Sequence, residues 1–153
     1  MALVKLALAE DIGRGDMTSL ACLEPYPIKA KLMAKSDGVL SGIEPFLVAF
    51  EIVDSANTVA FMKKNGDSFK RGDTVATIEG FNQTVLATER VALNFLSQLS
   101  GVATLTRKFV NRISQSGGAA KIVDTRKTMP GMRRLQKAAV VHGGGVNHRM
   151  GLY

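Results

Sequence analysis

Near Gly80 the chain changes its hydrophobic period, and this change constrains the fold more than any other feature of the sequence. Before it, apolar residues alternate in short runs separated by turn residues; after it, they recur at the three-and-four spacing of helices. From Ile28 to Lys35 the residues Ile28, Ala30, Leu32 and Ala34 share one face and Lys29, Lys31, Met33 and Lys35 the other, which is the pattern of a half-buried strand. Short strands are predicted over 58–62 and 74–78, set apart by the turn pairs Gly66-Asp67 and Gly72-Asp73. A first helix is predicted over 3–9. The Gly13-Arg14-Gly15-Asp16 loop ends it, and Thr18 or Ser19 is placed to cap or turn the chain. A short helix over 45–53 starts at Pro45 and carries Phe46, Leu47, Phe50 and Val53 as its apolar stripe. Up to about Gly80 the layout is a small α+β unit.

Beyond that point, Ala92, Phe95, Leu96 and Leu99 mark a helix over 88–100, with Gly101 as its predicted stop. A second helix follows on Val102, Leu105, Phe109 and Ile113 and closes at Gly117-Gly118. A strand over 121–124 has the apolar centre Ile122-Val123, and a helix of about two turns over 133–140 precedes Gly143-Gly144-Gly145. Alternating helix and strand predict an α/β unit with parallel strands, and the change of pattern places a domain break near residue 85. With 46% hydrophobic residues and only 4 prolines the chain can bury a core. Its one cysteine, Cys22, excludes a disulfide within the chain and makes a reducing cytoplasm the default. The apolar opening is too short for a membrane span, and Glu10 and Asp11 follow it, so no targeting segment is expected.

Charge is concentrated in one place. Of the net +7, residues 121–149 supply seven Lys or Arg against a single acid, Asp124, while the first 120 residues are nearly balanced. Such a stretch attracts anions, whether nucleic acid, a membrane surface or a small acidic substrate, and composition alone does not choose.

Three segments hold polar residues beside elements that should be rigid. Arg90 shares a helix side with Asn94 and Ser97; the plain reading is a surface arginine paired with a carboxylate one turn away. Asp124-Thr125-Arg126-Lys127-Thr128 directly follows the predicted strand, and functional groups of parallel α/β folds gather at strand carboxyl ends. Arginine grips a carboxylate with two parallel hydrogen bonds and lysine adds a compact charge; the alternative is an ordinary solvated loop. In His142-Gly143-Gly144-Gly145-Val146-Asn147-His148-Arg149, the glycines could let backbone N–H groups approach an anion or could form a simple turn. His142 and His148 have no nearby Cys or carboxylate to complete a metal site. Arg126, Lys127, His148 and Arg149 together describe a pocket for an acidic small molecule. No Ser-His-Asp set, CxxC pair or Walker loop is present, so the chemistry implied is electrostatic positioning.

Five segments in order resemble a known family. Glu10-Asp11-Ile12-Gly13-Arg14-Gly15-Asp16-Met17-Thr18-Ser19, Glu89-Arg90-Val91-Ala92-Leu93-Asn94-Phe95-Leu96 and Ser100-Gly101-Val102-Ala103-Thr104 come first. Asp124-Thr125-Arg126-Lys127-Thr128 and Gly143-Gly144-Gly145-Val146-Asn147-His148-Arg149 complete the set. They are similar to the signatures of quinolinate phosphoribosyltransferase, also called carboxylating nicotinate-nucleotide pyrophosphorylase. The resemblance implies an α/β protein, with an N-terminal α+β open sandwich over 1–84 followed by the beginning of an α/β barrel over 85–153. It implies transfer of phosphoribose from phosphoribosyl pyrophosphate to quinolinate with decarboxylation, giving nicotinate mononucleotide for NAD biosynthesis in the cytoplasm. Thr125, Arg126, His148 and Arg149 would bind quinolinate, and Lys127, near both substrates, would be catalytic. Arg90 would cross from the partner subunit of a homodimer or higher homo-oligomer. Magnesium would accompany the pyrophosphate donor, its ligands expected beyond Tyr153. A barrel of this kind needs on the order of 200 residues, far more than follow residue 84, so this polypeptide alone is expected to show no turnover.

Other readings stay open at this point. A nicotinate phosphoribosyltransferase or a molybdenum-transport-associated relative would share the superfamily. Gly66-Asp67-Ser68-Phe69-Lys70-Arg71-Gly72-Asp73-Thr74-Val75 resembles the hairpins of biotinyl and lipoyl carrier modules, without a lysine in the expected exposed setting. Two tyrosines and no tryptophan leave few stacking platforms, so nucleic acid is not an expected partner, and with an apolar opening too short for a span neither is a membrane.

Overall fold

The structure is a computed structural model that describes residues 2–152; Met1 and Tyr153 lie outside the described residues. Helix α1 (Ala2–Ile12) leads through the glycine loop into α2 (Met17–Cys22). Asp16 caps α2: its carboxylate accepts the Ser19 N–H at 3.1 Å and the Ser19 hydroxyl at 2.5 Å, so the cap lies two residues ahead of Thr18 and three ahead of Ser19, the expected candidates.

Strand β1 (Pro27–Met33) is followed by β2 (Gly38–Val39), helix α3 (Ile43–Val53), β3 (Thr58–Phe61), β4 (Ser68–Phe69) and β5 (Thr74–Phe81). Antiparallel pairing gives a sheet in the order β1-β5-β3, with Ala30 opposite Ile78 and Val59 opposite the same residue. Ile28, Ala30, Leu32, Val59, Phe61 and Ile78 face the core with Phe46 and Phe50 of α3; Lys29 and Glu79 pair on the outer face, leaving the sandwich open there. On α3 the buried residues are Pro45, Phe46, Ala49 and Phe50, while Leu47 of the expected stripe is exposed. Two-residue strands such as β2 and β4 are too short to show a period, and the sequence pattern does not reveal them.

Helix α4 (Asn82–Gln115) is a single helix of 34 residues where two were expected. Gly101 does not stop it. Its Cα faces open space and its N–H and carbonyl stay within the helix, so the propensity cost of about 1 kcal/mol against alanine is offset by burial of Leu99 and Ala103 on either side. The buried face continues through Ser100, Ala103 and Thr106, and the predicted second stripe is displaced: Leu105 and Phe109 are exposed. The hydroxyls of the Ser100–Thr104 segment have a structural use. Ser100 Oγ accepts the Ser41 N–H at 3.0 Å and donates to the Ser41 carbonyl at 3.1 Å, and Thr104 Oγ1 accepts the Val39 N–H at 2.9 Å. They satisfy backbone groups of the β2 segment against the middle of α4. Helix α5 (Arg133–His142) then packs on the second half of α4, around Leu99, Ala103 and Ala139. The predicted strand over 121–124 is reduced to a parallel bridge between Val123 and Val146. No described helix is long and apolar enough to cross a membrane.

Candidate functional site

The parallel bridge decides how the cationic residues are arranged. Val146 donates its N–H to the Ile122 carbonyl at 2.9 Å, and Asp124 donates its N–H to the Val146 carbonyl at 3.1 Å. Two neighbouring strands that run the same way lie about 4.8 Å apart and exit at the same end. Arg126 stands three residues past the bridge on one segment and Arg149 three past it on the other, so both leave at that end.

Beneath them lies a buried polar network. Lys137 of α5 and Asp124 form an ion pair whose side chains are 1% and 5% exposed. The same Asp124 oxygen accepts the His148 N–H at 2.8 Å. The Asn147 amide, with its nitrogen turned inward as the surrounding acceptors require, donates to the other Asp124 oxygen at 2.5 Å and to the Lys137 carbonyl at 2.9 Å. A carboxylate removed from water is tolerated only when paired and hydrogen-bonded, and here three donors meet it. Its position therefore fixes residues 147 and 148 against residue 124. This sets the register of the two loops.

At the surface, Thr125 Oγ1 accepts the Lys127 N–H at 3.0 Å and tightens the first loop. Thr125, Lys127, His148 and Arg149 are exposed, and Arg126 is half-buried. Arg126 Nε is shielded from solvent with no hydrogen-bond partner among the described residues, a donor left for something else to satisfy. Arg149 Nη1 donates to the Leu152 carbonyl at 3.0 Å. The segments that carry Arg126, Lys127, His148 and Arg149 thus leave the bridge at one end. Arg90 does not join them. It is exposed on α4 and makes no salt bridge among the described residues, which removes the plain reading of a carboxylate-paired arginine. A hydrogen bond from α4 to the end of the first loop, Gln98 Nε2 to Met129 Sδ at 3.2 Å, lies eight residues or about 12 Å along the axis from Arg90.

Of the two readings open for the glycine run, the structure takes the turn and not the anion cradle. Gly143, Gly144 and Gly145 donate their N–H groups to the carbonyls of Ala139, Val141 and Val140, at 3.0, 2.8 and 2.9 Å, closing the end of α5. None of the three N–H groups is free for an anion. A Cβ on Gly143 would stand 2.5 Å from the Ala103 carbonyl oxygen, and Gly144 has φ +93°, so the run serves close helix packing and a left-handed turn. His142 is likewise structural: its Nδ1 lies 2.8 Å from Ser41 Oγ. Burial holds its imidazole below the ordinary histidine value, with the Glu44 carboxylate pulling the other way. Among the described residues no three His, Cys, Asp or Glu side chains gather as a metal site would require.

Sequence reasoning missed Lys137, Asn147 and Arg133, whose guanidinium hydrogen-bonds both loops. One signal pointed toward Lys137. Asp124 is the only acid in a strongly basic stretch and follows an apolar strand centre, so it had to find a cation inside.

Comparison with known proteins gives a consistent picture. A family model described as quinolinate phosphoribosyl transferase, N-terminal domain, matches residues 16–100, and the C-terminal domain model matches residues 102–153. A probable carboxylating nicotinate-nucleotide pyrophosphorylase of Bacillus subtilis is 42% identical over 144 residues, 94% of this chain and 49% of the relative. A chloroplastic carboxylating nicotinate-nucleotide pyrophosphorylase of Arabidopsis thaliana is 42% identical over 99% of this chain and 43% of its own length. The solved nicotinate-nucleotide pyrophosphorylase of Francisella tularensis superposes with a TM-score of 0.95 at 36% identity, covering 99% of this chain and 54% of that one. The chain therefore spans about half the length of the relatives it matches.

Proposed function

We propose a function from one premise: the chain belongs to the quinolinate phosphoribosyltransferase family. Its fold is accordingly the family's α/β arrangement, an N-terminal sheet domain followed by the start of an α/β barrel. The proposed activity is transfer of phosphoribose from phosphoribosyl pyrophosphate to the nitrogen of quinolinate, with loss of carbon dioxide, to give nicotinate mononucleotide. The observation that carries it is the shared exit of Arg126-Lys127 and His148-Arg149 from one parallel pair.

Quinolinate bears two adjacent carboxylates, so its recognition calls for two guanidinium groups within one small span. Arg126 and Arg149 are proposed to take one carboxylate each, with the unmatched Arg126 Nε finding its acceptor there. His148 and the Thr125 hydroxyl border the same opening. Lys127, exposed and without a carboxylate partner among the described residues, is the candidate for the catalytic position between the pyridine acid and the phosphate-bearing donor. Arg90, unpaired in the same sense, is proposed to serve the site of a second copy in a homodimer.

Held in this way, the ring nitrogen faces the ribose carbon as pyrophosphate departs, and positive charge develops on the sugar. Fixed geometry lowers the barrier by removing the need to orient two reactants, and fixed cations spare the rearrangement of solvent. Once ribosylated, the ring nitrogen is positive and stabilises the electron pair that loss of carbon dioxide leaves on the adjacent carbon, and a proton from solvent then takes up that pair. No strong protein base is needed. Magnesium, which the family resemblance attaches to the pyrophosphate donor, finds no three-donor cluster among the described residues, and the steps above rest on the chain's own cations.

Calorimetric titration tests the reading. Quinolinate is expected to bind the chain more tightly than nicotinate, which lacks the second carboxylate, and Arg126→Ala is expected to reduce that preference. Equal affinity for the two acids, or an Arg126→Ala variant that keeps the preference, would overturn it.

A further inference from the structure

We propose that Arg133 is a positioning residue that sets the distance between the two carboxylate-binding loops; the proposal rests on the functional reading above. Arg133 is the first residue of α5, and its guanidinium spans both loops. Nε donates to Thr128 Oγ1 at 3.2 Å, Nη2 donates to the Arg126 carbonyl at 3.4 Å, and Nη1 donates to the Met150 carbonyl at 3.2 Å. Two acceptors lie on the first loop and one on the second. A single rigid plane thereby joins the loop that carries Arg126 and Lys127 to the loop that carries His148 and Arg149.

The loops are already joined at their inner ends by Asp124, which accepts from Lys137, His148 and Asn147. Beyond residue 125 on one side and 148 on the other, that network no longer reaches. Arg133 closes the span at the outer ends, so each cationic pair is held from both directions. Arginine suits this work because its donors are fixed in one fork pointing several ways, whereas a lysine ammonium offers a single point.

The placement runs against helix electrostatics. The first turn of α5 contains Arg133 and Arg134 and no acid, although the helix N-terminus favours negative charge. No carboxylate pairs with Arg133 among the described residues. A cation kept at an unfavourable helix end, bonded only to loop oxygens, serves those loops and adds positive potential where a dianion would dock.

The test uses the whole 153-residue chain, quinolinate and nicotinate as probes, and amide hydrogen exchange. Arg133→Ala is expected to weaken quinolinate binding about tenfold, the scale of one lost charged hydrogen-bonding geometry, and nicotinate by a smaller factor. Arg133→Lys is expected to follow it. Millimolar guanidinium should restore part of the lost affinity in Arg133→Ala and none in Arg126→Ala, a difference that a general loosening of the fold would not produce. Exchange should accelerate at residues 126–128 and 148–150 while residues 139–145 keep their protection. If the wild-type chain prefers quinolinate and Arg133→Ala keeps that preference undiminished, the positioning role falls and the functional reading stands. If the wild-type chain binds neither acid, the functional reading falls, and exchange alone judges the clamp: unchanged rates in both loops overturn it. Should Arg133→Ala fail to fold, Arg133→Lys carries the same exchange comparison.

Discussion

In the sheet of β1, β5 and β3, Ile28, Ala30, Leu32, Val59 and Ile78 turn inward and lysines turn outward; between residues 121 and 149 an aspartate and a lysine occupy the interior instead. The first region is ordered by removal of apolar surface from water, a force without direction that tolerates changes of shape. The second is ordered by a few directed bonds. Asp124 receives donors from Lys137, Asn147 and His148, and the geometry of those bonds sets where the loops end. A sheet that needs only stability can rely on burial. Loops proposed to hold two arginines at a set separation need contacts with direction.

The largest effect that would break this comparison comes from Lys137→Ala. It leaves Asp124 charged and buried without its partner, and the expected loss is about 3–5 kcal/mol in denaturant unfolding. Phe46→Ala, in the apolar region, is expected to cost a similar amount of about 3–5 kcal/mol through the cavity beside Phe50 and Phe61. The two should nonetheless differ in kind, since Lys137→Ala should also accelerate amide exchange at His148 and Phe46→Ala should not. A loss below about 1 kcal/mol for Lys137→Ala would show that the pair is not the keystone of the second region.

Gly101→Ala sharpens the account of α4. A Cβ there meets open space, so the substitution is expected to stabilise the chain by about 0.5–1 kcal/mol, read as a raised denaturant midpoint. A destabilised variant would mean that Gly101 is needed for more than its absence of a side chain. A smaller effect concerns pH. Burial depresses the folded-state pKa of His142, so its contribution to stability is present above the ordinary histidine value of about 6.5 and is lost as pH falls through the depressed value. The melting temperature of the wild type is expected to fall over that interval more steeply than that of His142→Asn; parallel profiles would contradict the assignment. Smallest of all, Lys29→Ala removes an ion pair whose side chains are 64% and 55% exposed. The expected change is at most a few tenths of a kcal/mol.

How much of this was legible beforehand follows the same division. Alternation over 28–35 reports the sheet because one face is buried and the other is not, and the motifs at 124–128 and 143–149 fall on the two segments that the parallel bridge joins. Glycine is ambiguous in the sequence. By propensity alone Gly101 is a stop, yet the packing of Leu99, Ser100 and Ala103 carries the helix through it. Of the two readings at 143–145, the turn holds because the end of α5 claims the N–H groups. Both are outcomes of tertiary contacts that leave no local period. Lys137 and Arg133 were missed for a related reason: on a basic helix they read as solvated charges, and only the fold reveals that one is buried and the other bridges two loops.

The central claim is that two arginines from parallel exits share one dicarboxylate. Nuclear magnetic resonance on arginine-labelled chain observes the Nε–H signals of Arg126 and Arg149 directly during titration with quinolinate. The account predicts that both signals move together along one binding curve, with Arg126 Nε–H shifting downfield as it gains its missing acceptor. Movement of only one of the two, or of neither while quinolinate binds elsewhere, would contradict it.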